Sequence, residues 1–135
     1  MARRQARAAA MQMVYENMLG GDGGEDTLQG LIGFEADEED RAYLDSVVNG
    51  VAQNASRLDE TICKYLKDWS LDRIARVDRA VMRLAIYELI HTPEVPGNVV
   101  ISEAVALAQK YGTPEGGRFV NGVLSSVLRD RDGQA

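Results

Sequence analysis

The residues of this chain best suited to chemistry lie at its start. Arg3, Arg4 and Arg7 all precede the first acid, Glu16. Three guanidiniums on and just ahead of a first helical turn can make bidentate contacts to phosphate and can stack on bases. Arginines sit badly at the positive end of a helix dipole, so helix stability does not ask for them there, whereas bound phosphate would offset the repulsion. The plainer account is a charged terminus that aids solubility. The following stretch has the opposite sign: from Asp22 to Asp45, nine acids face a single Arg41. The formal net charge of −6, from 15 basic and 21 acidic residues, therefore hides a basic end beside an acidic shoulder. A nucleic acid would meet the first and avoid the second.

Other chemistries find little support. One cysteine, Cys63, and one histidine, His91, allow neither an internal disulfide nor a Cys/His metal cluster. Gly20-Gly21-Asp22-Gly23-Gly24 follows a helical pattern and lacks the trailing Lys-Ser/Thr of a phosphate loop, so it reads as a linker. Glu38-Glu39-Asp40 lacks the spacing of a calcium loop. His91, before Thr92-Pro93, is expected to cap carbonyls at a helix end, and Cys63 to be a small, half-buried apolar residue. Arg83, Glu88 and Glu103 lie among apolar neighbours and invite a catalytic reading. The better expectation is that they anchor adjacent helices, satisfied by each other or by backbone. The reading is of a non-enzyme without cofactor or metal.

The elements that must position these residues are helical. The chain has 135 residues, 45% of them hydrophobic, with only two Phe and one Trp, so its core must be mostly aliphatic. Arg3 to Leu19 has helix-forming composition, with Met11, Val14 and Met18 on one face. Thr27–Ile32 reads as a short helix. Leu44, Val47, Val51, Leu58, Ile62 and Leu66 keep helical spacing, with Asp37 or a neighbouring acid as cap. The polar run Gln53–Ser56 predicts a break into two helices. Val77 to Ile90 is apolar on more than one face, as a central helix is, and Pro93 and Pro96 stop it. Val100, Ala104, Leu107 and Tyr111 mark the next helix. Thr113-Pro114-Glu115 is a capped entry to the last, and residues 129–135 are expected to fray as a polar tail. The fold class is thus all-α: one domain over 1–135, a compact bundle of about seven helices. No run is apolar enough to span a membrane, and a cytoplasmic protein is the simplest reading.

Several stretches carry a more specific signal. They are Ala2-Arg3-Arg4-Gln5-Ala6-Arg7 with Gln12 and Tyr15; Arg76-Val77-Asp78-Arg79-Ala80-Val81-Met82-Arg83-Leu84-Ala85-Ile86-Tyr87-Glu88-Leu89; Pro96 followed by Val100-Ile101-Ser102-Glu103-Ala104-Val105; and Lys110-Tyr111-Gly112 with Arg118-Phe119-Val120-Asn121-Gly122-Val123-Leu124. In order and spacing, across nearly the whole chain, they resemble the NusB family of bacterial transcription antitermination factors. The likeness is weakest from Gly20 to Asp45.

That resemblance implies a helical partner of NusE, a small-subunit ribosomal protein. The pair binds the boxA element of nascent ribosomal-operon RNA within the RNA polymerase antitermination complex, promoting read-through and rRNA synthesis. It leaves the oligomeric state open between a monomer and a homodimer whose surface overlaps the RNA site. On the RNA side it places Arg3, Arg4, Arg7, Gln12, Glu115, Arg118, Phe119 and Asn121. Phe119 is open between stacking a base and joining Val123 in the core. Glu115 is an acid that would repel phosphate, so Glu115→Gln or Glu115→Lys is expected to tighten RNA binding. On the NusE side it places Tyr15, Tyr65, Asp72 and Asp78. Both tyrosines are open between contact and core packing, while Asp78 is expected to be exposed because Val77 and Val81 already supply a buried face. Two alternatives stand beside this reading: a helical protein-interaction module without RNA binding, and an RNA-binding domain of rRNA maturation.

Overall fold

Apolar spacing and caps set the helix boundaries. The computed structural model describes residues 4–20, 37–66 and 70–133. The expected helix over 27–32 and Arg3 lie outside the described residues. Helix α1 spans Arg4–Met18 and buries Ala6, Ala9, Ala10, Met13 and Val14. Helix α2, Glu38–Gln53, opens on a capping box: the Asp40 backbone N–H donates to Asp37 Oδ1 at 2.8 Å, and the Asp37 N–H donates to Asp40 Oδ2 at 3.1 Å. It stops at Asn54, whose side-chain amide donates to the Gly50 carbonyl at 2.8 Å. Helix α3, Ala55–Lys64, follows at the expected break. A 3-10 turn, Leu71–Arg73, leads to helix α4, Arg76–His91.

Pro93 and Pro96 separate α4 from helix α5, Gly97–Tyr111. Helix α6, Pro114–Gly133, begins with Thr113 Oγ1 accepting the Gly116 N–H at 3.0 Å. Six α-helices and one 3-10 turn among the described residues agree with the all-α bundle read from the sequence.

Helix α4 is the hub. It packs against α1, α2, α3, α5 and α6, and Val81, Met82, Ala85, Ile86 and Leu89 are almost fully buried. Its approach to α2 is very close: a Cβ at Gly50 would fall 2.2 Å from the Tyr87 ring, so any other residue there would have to displace that ring. Its junction with α3 is ionic. Asp59 accepts from Arg79 Nη2 at 2.8 Å and from Arg83 Nε and Nη2 at 2.8 and 2.6 Å. Burial pushes the Asp59 carboxyl up, but the Arg83 and Arg79 guanidiniums outweigh it and hold the group below the usual range.

Three sequence expectations need correction. Residues 129–133 do not fray: α6 continues to Gly133, held where Arg131 Nη1 donates to the Leu89 carbonyl at 2.8 Å and the Tyr65 hydroxyl donates to Asp130. Cys63 is exposed, because α3 turns its buried face to Leu58 and Ile62. The carbonyl cap after α4 is Thr92, whose hydroxyl donates to the Glu88 carbonyl at 2.6 Å, while His91 stacks on Tyr87 at 4.4 Å.

Candidate RNA and partner interface

Helix α1 turns two of its arginines to different ends. Arg7 is buried, 4% exposed. Its Nη1 donates to Glu88 Oε2 at 2.5 Å, and the Tyr43 hydroxyl donates to Glu88 Oε1 at 2.5 Å. Burial pushes the Tyr43 hydroxyl well up, and the Glu88 carboxylate adds to it. Three helices, α1, α2 and α4, are thereby joined through one carboxylate. This corrects the reading of Arg7 as a surface cation: its guanidinium is engaged inside the bundle, where no phosphate reaches it. Arg4, one turn earlier, is exposed. Its Nε and Nη2 donate to the two Glu103 oxygens at 3.1 and 3.2 Å, which ties α1 to α5. Arg83, Glu88 and Glu103 are thus helix anchors, as expected, but their partners are Asp59, Arg7 with Tyr43, and Arg4 rather than one another.

The starts of α4 and α6 enclose a hollow of about 350 Å³. Asp78, Thr113, Glu115, Gly116, Phe119 and Arg73 line it. Asp78 is 7% exposed, which corrects its placement as an exposed acid, and its Oδ1 has no hydrogen-bond partner among the described residues. Gly116 makes room for it: a Cβ there would lie 2.8 Å from both carboxylate oxygens. Burial raises the Asp78 carboxyl above its ordinary value. A carboxyl raised in this way supports the fold only where it is protonated, and that support is lost as pH rises through its folded value. At neutral pH Asp78 is therefore a liability to the fold. Asp78→Asn is expected to raise Tm at neutral pH, with the gain shrinking as pH falls through the raised folded value and gone below about 4. A Tm difference that does not change with pH would sink this account.

A second hollow, about 450 Å³, has Val77, at the start of α4, in its wall. Gln12, Tyr15, Glu16, Leu19, Val77 and Tyr111 border it. Tyr15 is half-buried against the core and also lines this opening. Phe119 likewise divides between core contact and the Asp78 hollow, so neither alternative left by the sequence excludes the other. Arg118, Glu115 and Asn121 are exposed on α6, and Asp72 is exposed in the 3-10 turn. Tyr65 lies apart, bonded to Asp130 near the far end of α6.

The sequence model of the NusB family matches residues 4–129. The chain belongs to the NusB family. It is 45% identical over 130 residues to the transcription antitermination protein NusB of Sorangium cellulosum, covering 96% of this chain and 93% of that protein. It is 41% identical over 130 residues to the NusB of Acetivibrio thermocellus, covering 96% and 90%. Among solved structures it is similar to T. maritima NusB, with TM-score 0.83 and 32% identity, covering 96% of this chain and 92% of that one. It is also similar to a chain in the structure of antitermination factors NusB and NusE in complex with dsRNA, with TM-score 0.83 and 28% identity, covering 95% and 96%.

In this NusB-family bundle the fold brings together Asp78, Glu115 and Phe119 in one hollow, and Gln12 with Tyr15 in the second. It does not bring Arg7 or Tyr65 to them. Sequence reasoning missed Arg73, Tyr111 and Leu19, which border the hollows. Leu19 and Tyr111 are among the exposed large apolar residues. The one available signal was Gly116-Gly117, since glycines inside a helix weaken it and mark a close approach.

Proposed function

We propose that this chain is a transcription antitermination factor that binds boxA RNA of ribosomal operons together with NusE, within the RNA polymerase antitermination complex. It acts by binding, not catalysis, and in the cytoplasm. The observation that carries the reading is the start of α6. There an aromatic ring, Phe119, borders a hollow, while Arg118 and Asn121 stand exposed on the same helix. A ring for stacking, a cation for phosphate and a positive helix end are the parts that single-stranded RNA recognition uses. Arg4 adds an exposed cation at the start of α1, and Arg3 precedes it in the sequence. Asp78, Asp72, Tyr15 and the Leu19–Tyr111 opening form the side offered to a basic protein partner.

The test is titration of a labelled boxA RNA with the chain, with and without NusE. Binding should be salt-sensitive and tighter with NusE. Glu115→Gln removes a carboxylate beside the phosphate path. It should tighten binding by up to about fivefold, the worth of one exposed charge at ~1 kcal/mol. No saturable binding in either arm would overturn the reading.

A further inference from the structure

The face of α6 that carries Arg118 and Asn121 does not end there. Along the same side lie Ser125 and Arg129, and α5 faces them with Asn98, Ser102 and Gln109. Between the two helices runs an open groove of about 740 Å³. From Asn121 to Arg129 it extends roughly 12 Å along the helix axis. Asn121 belongs both to this groove and to the RNA face described above, so the two are continuous.

We propose that this groove carries the continuation of the bound RNA strand beyond the segment at Phe119, with Arg129 as a phosphate contact. The inference rests on the RNA-binding reading above.

The groove's chemistry favours a sugar–phosphate strand over a protein helix. Above a floor of Ile101, Val105 and Leu128, its amides and hydroxyls, on Asn98, Ser102, Gln109, Asn121 and Ser125, can donate to phosphate and pair with ribose hydroxyls. Its small side chains, Ser102, Ala106 and Ser125, let a backbone come close. The exposed large apolar residues, Leu19, Ile90 and Tyr111, all lie outside it, and the large apolar residues that line it are buried or half-buried, so a partner helix would find no protruding anchor. The charge is right as well. Asp132, the acid in the groove, is paired with Arg131 at 2.9 Å. Arg129 is exposed and has no hydrogen-bond or ion-pair partner among the described residues, so its guanidinium is open to a phosphate while Asp132 is held by Arg131.

The experiment compares two labelled RNAs on the chain with NusE: a boxA core, and the same core extended at each end in turn by four uridines. One extension should bind several-fold tighter than the core. Arg129→Ala should remove that gain, lower the salt slope of the extended RNA by about 1, and leave core binding unchanged. Ser102→Glu, on the opposite wall, should remove the gain too. Both positions are exposed, and circular dichroism checks that each variant folds. The proposal is overturned if neither extension tightens binding, or if both variants bind the extended RNA as the native chain does. It is also overturned if the variants weaken NusE binding while leaving the extended RNA untouched, which would make the groove a protein surface. Absence of core binding by the native chain would instead remove the RNA reading itself, and this inference with it.

Discussion

Glu88→Gln is expected to lower stability by about 3–5 kcal/mol, because it leaves the buried Arg7 guanidinium without its counter-charge. For a chain of this size that is a fall in Tm of roughly 10–20 °C. The change is small in shape and large in charge. Glu88 is 1% exposed and serves two donors, Arg7 and Tyr43, from two other helices. Arg7 Nε lacks a partner among the described residues, so the cluster they form is not fully satisfied even in the native chain. An apolar triple replacement, Arg7→Met with Tyr43→Phe and Glu88→Leu, removes every charge together and should restore most of the stability lost in the single variant. It also separates two roles for Arg7. If Arg7 acts by holding α1 in place, the triple variant keeps RNA affinity close to native. If that variant folds but loses RNA binding, Arg7 touches RNA after all. Chemical denaturation and RNA titration on the same samples give both readings.

Phe119→Leu is the second large effect, and it falls on binding. Loss of one base–aromatic stack costs about 1–3 kcal/mol, or roughly five- to 150-fold in affinity. Leucine keeps an apolar side chain over the hollow and against the core, so stability should change by less than about 1.5 kcal/mol. The diagnostic is the split between the two measurements. RNA affinity that falls no further than the stability change explains would mark Phe119 as a packing residue only.

Local chemistry is what the sequence reveals best. The Asp37 box, the Thr113 cap, the break at Asn54 and the proline stops are all short-range events, and the helices begin and end where those residues stand. The centrality of α4 was visible because its apolar residues cover more than one face. What stayed hidden depends on contacts distant in the chain. Arg7 looks like its neighbours Arg3 and Arg4 until the fold brings Glu88 to it from 81 positions away. Asp78 seemed free because Val77 and Val81 could fill the core, yet the start of α6 closes over it and Gly116 leaves it room. The last turn of α6 reads as a polar tail, and only Leu89 and Tyr65, on other segments, show why it stays helical. At the candidate site, the residue types were legible from the sequence; which of them share a hollow was not.

The central claim is that RNA meets the exposed basic ends of α1 and α6 while Arg7 stays inside. Its most direct test is the salt dependence of boxA RNA affinity for the native chain and for the Arg4→Ala/Arg118→Ala variant, each with NusE. The account predicts weaker binding and a salt slope less negative by about 2, one for each lost phosphate contact. An unchanged affinity and slope in a folded double variant would contradict it.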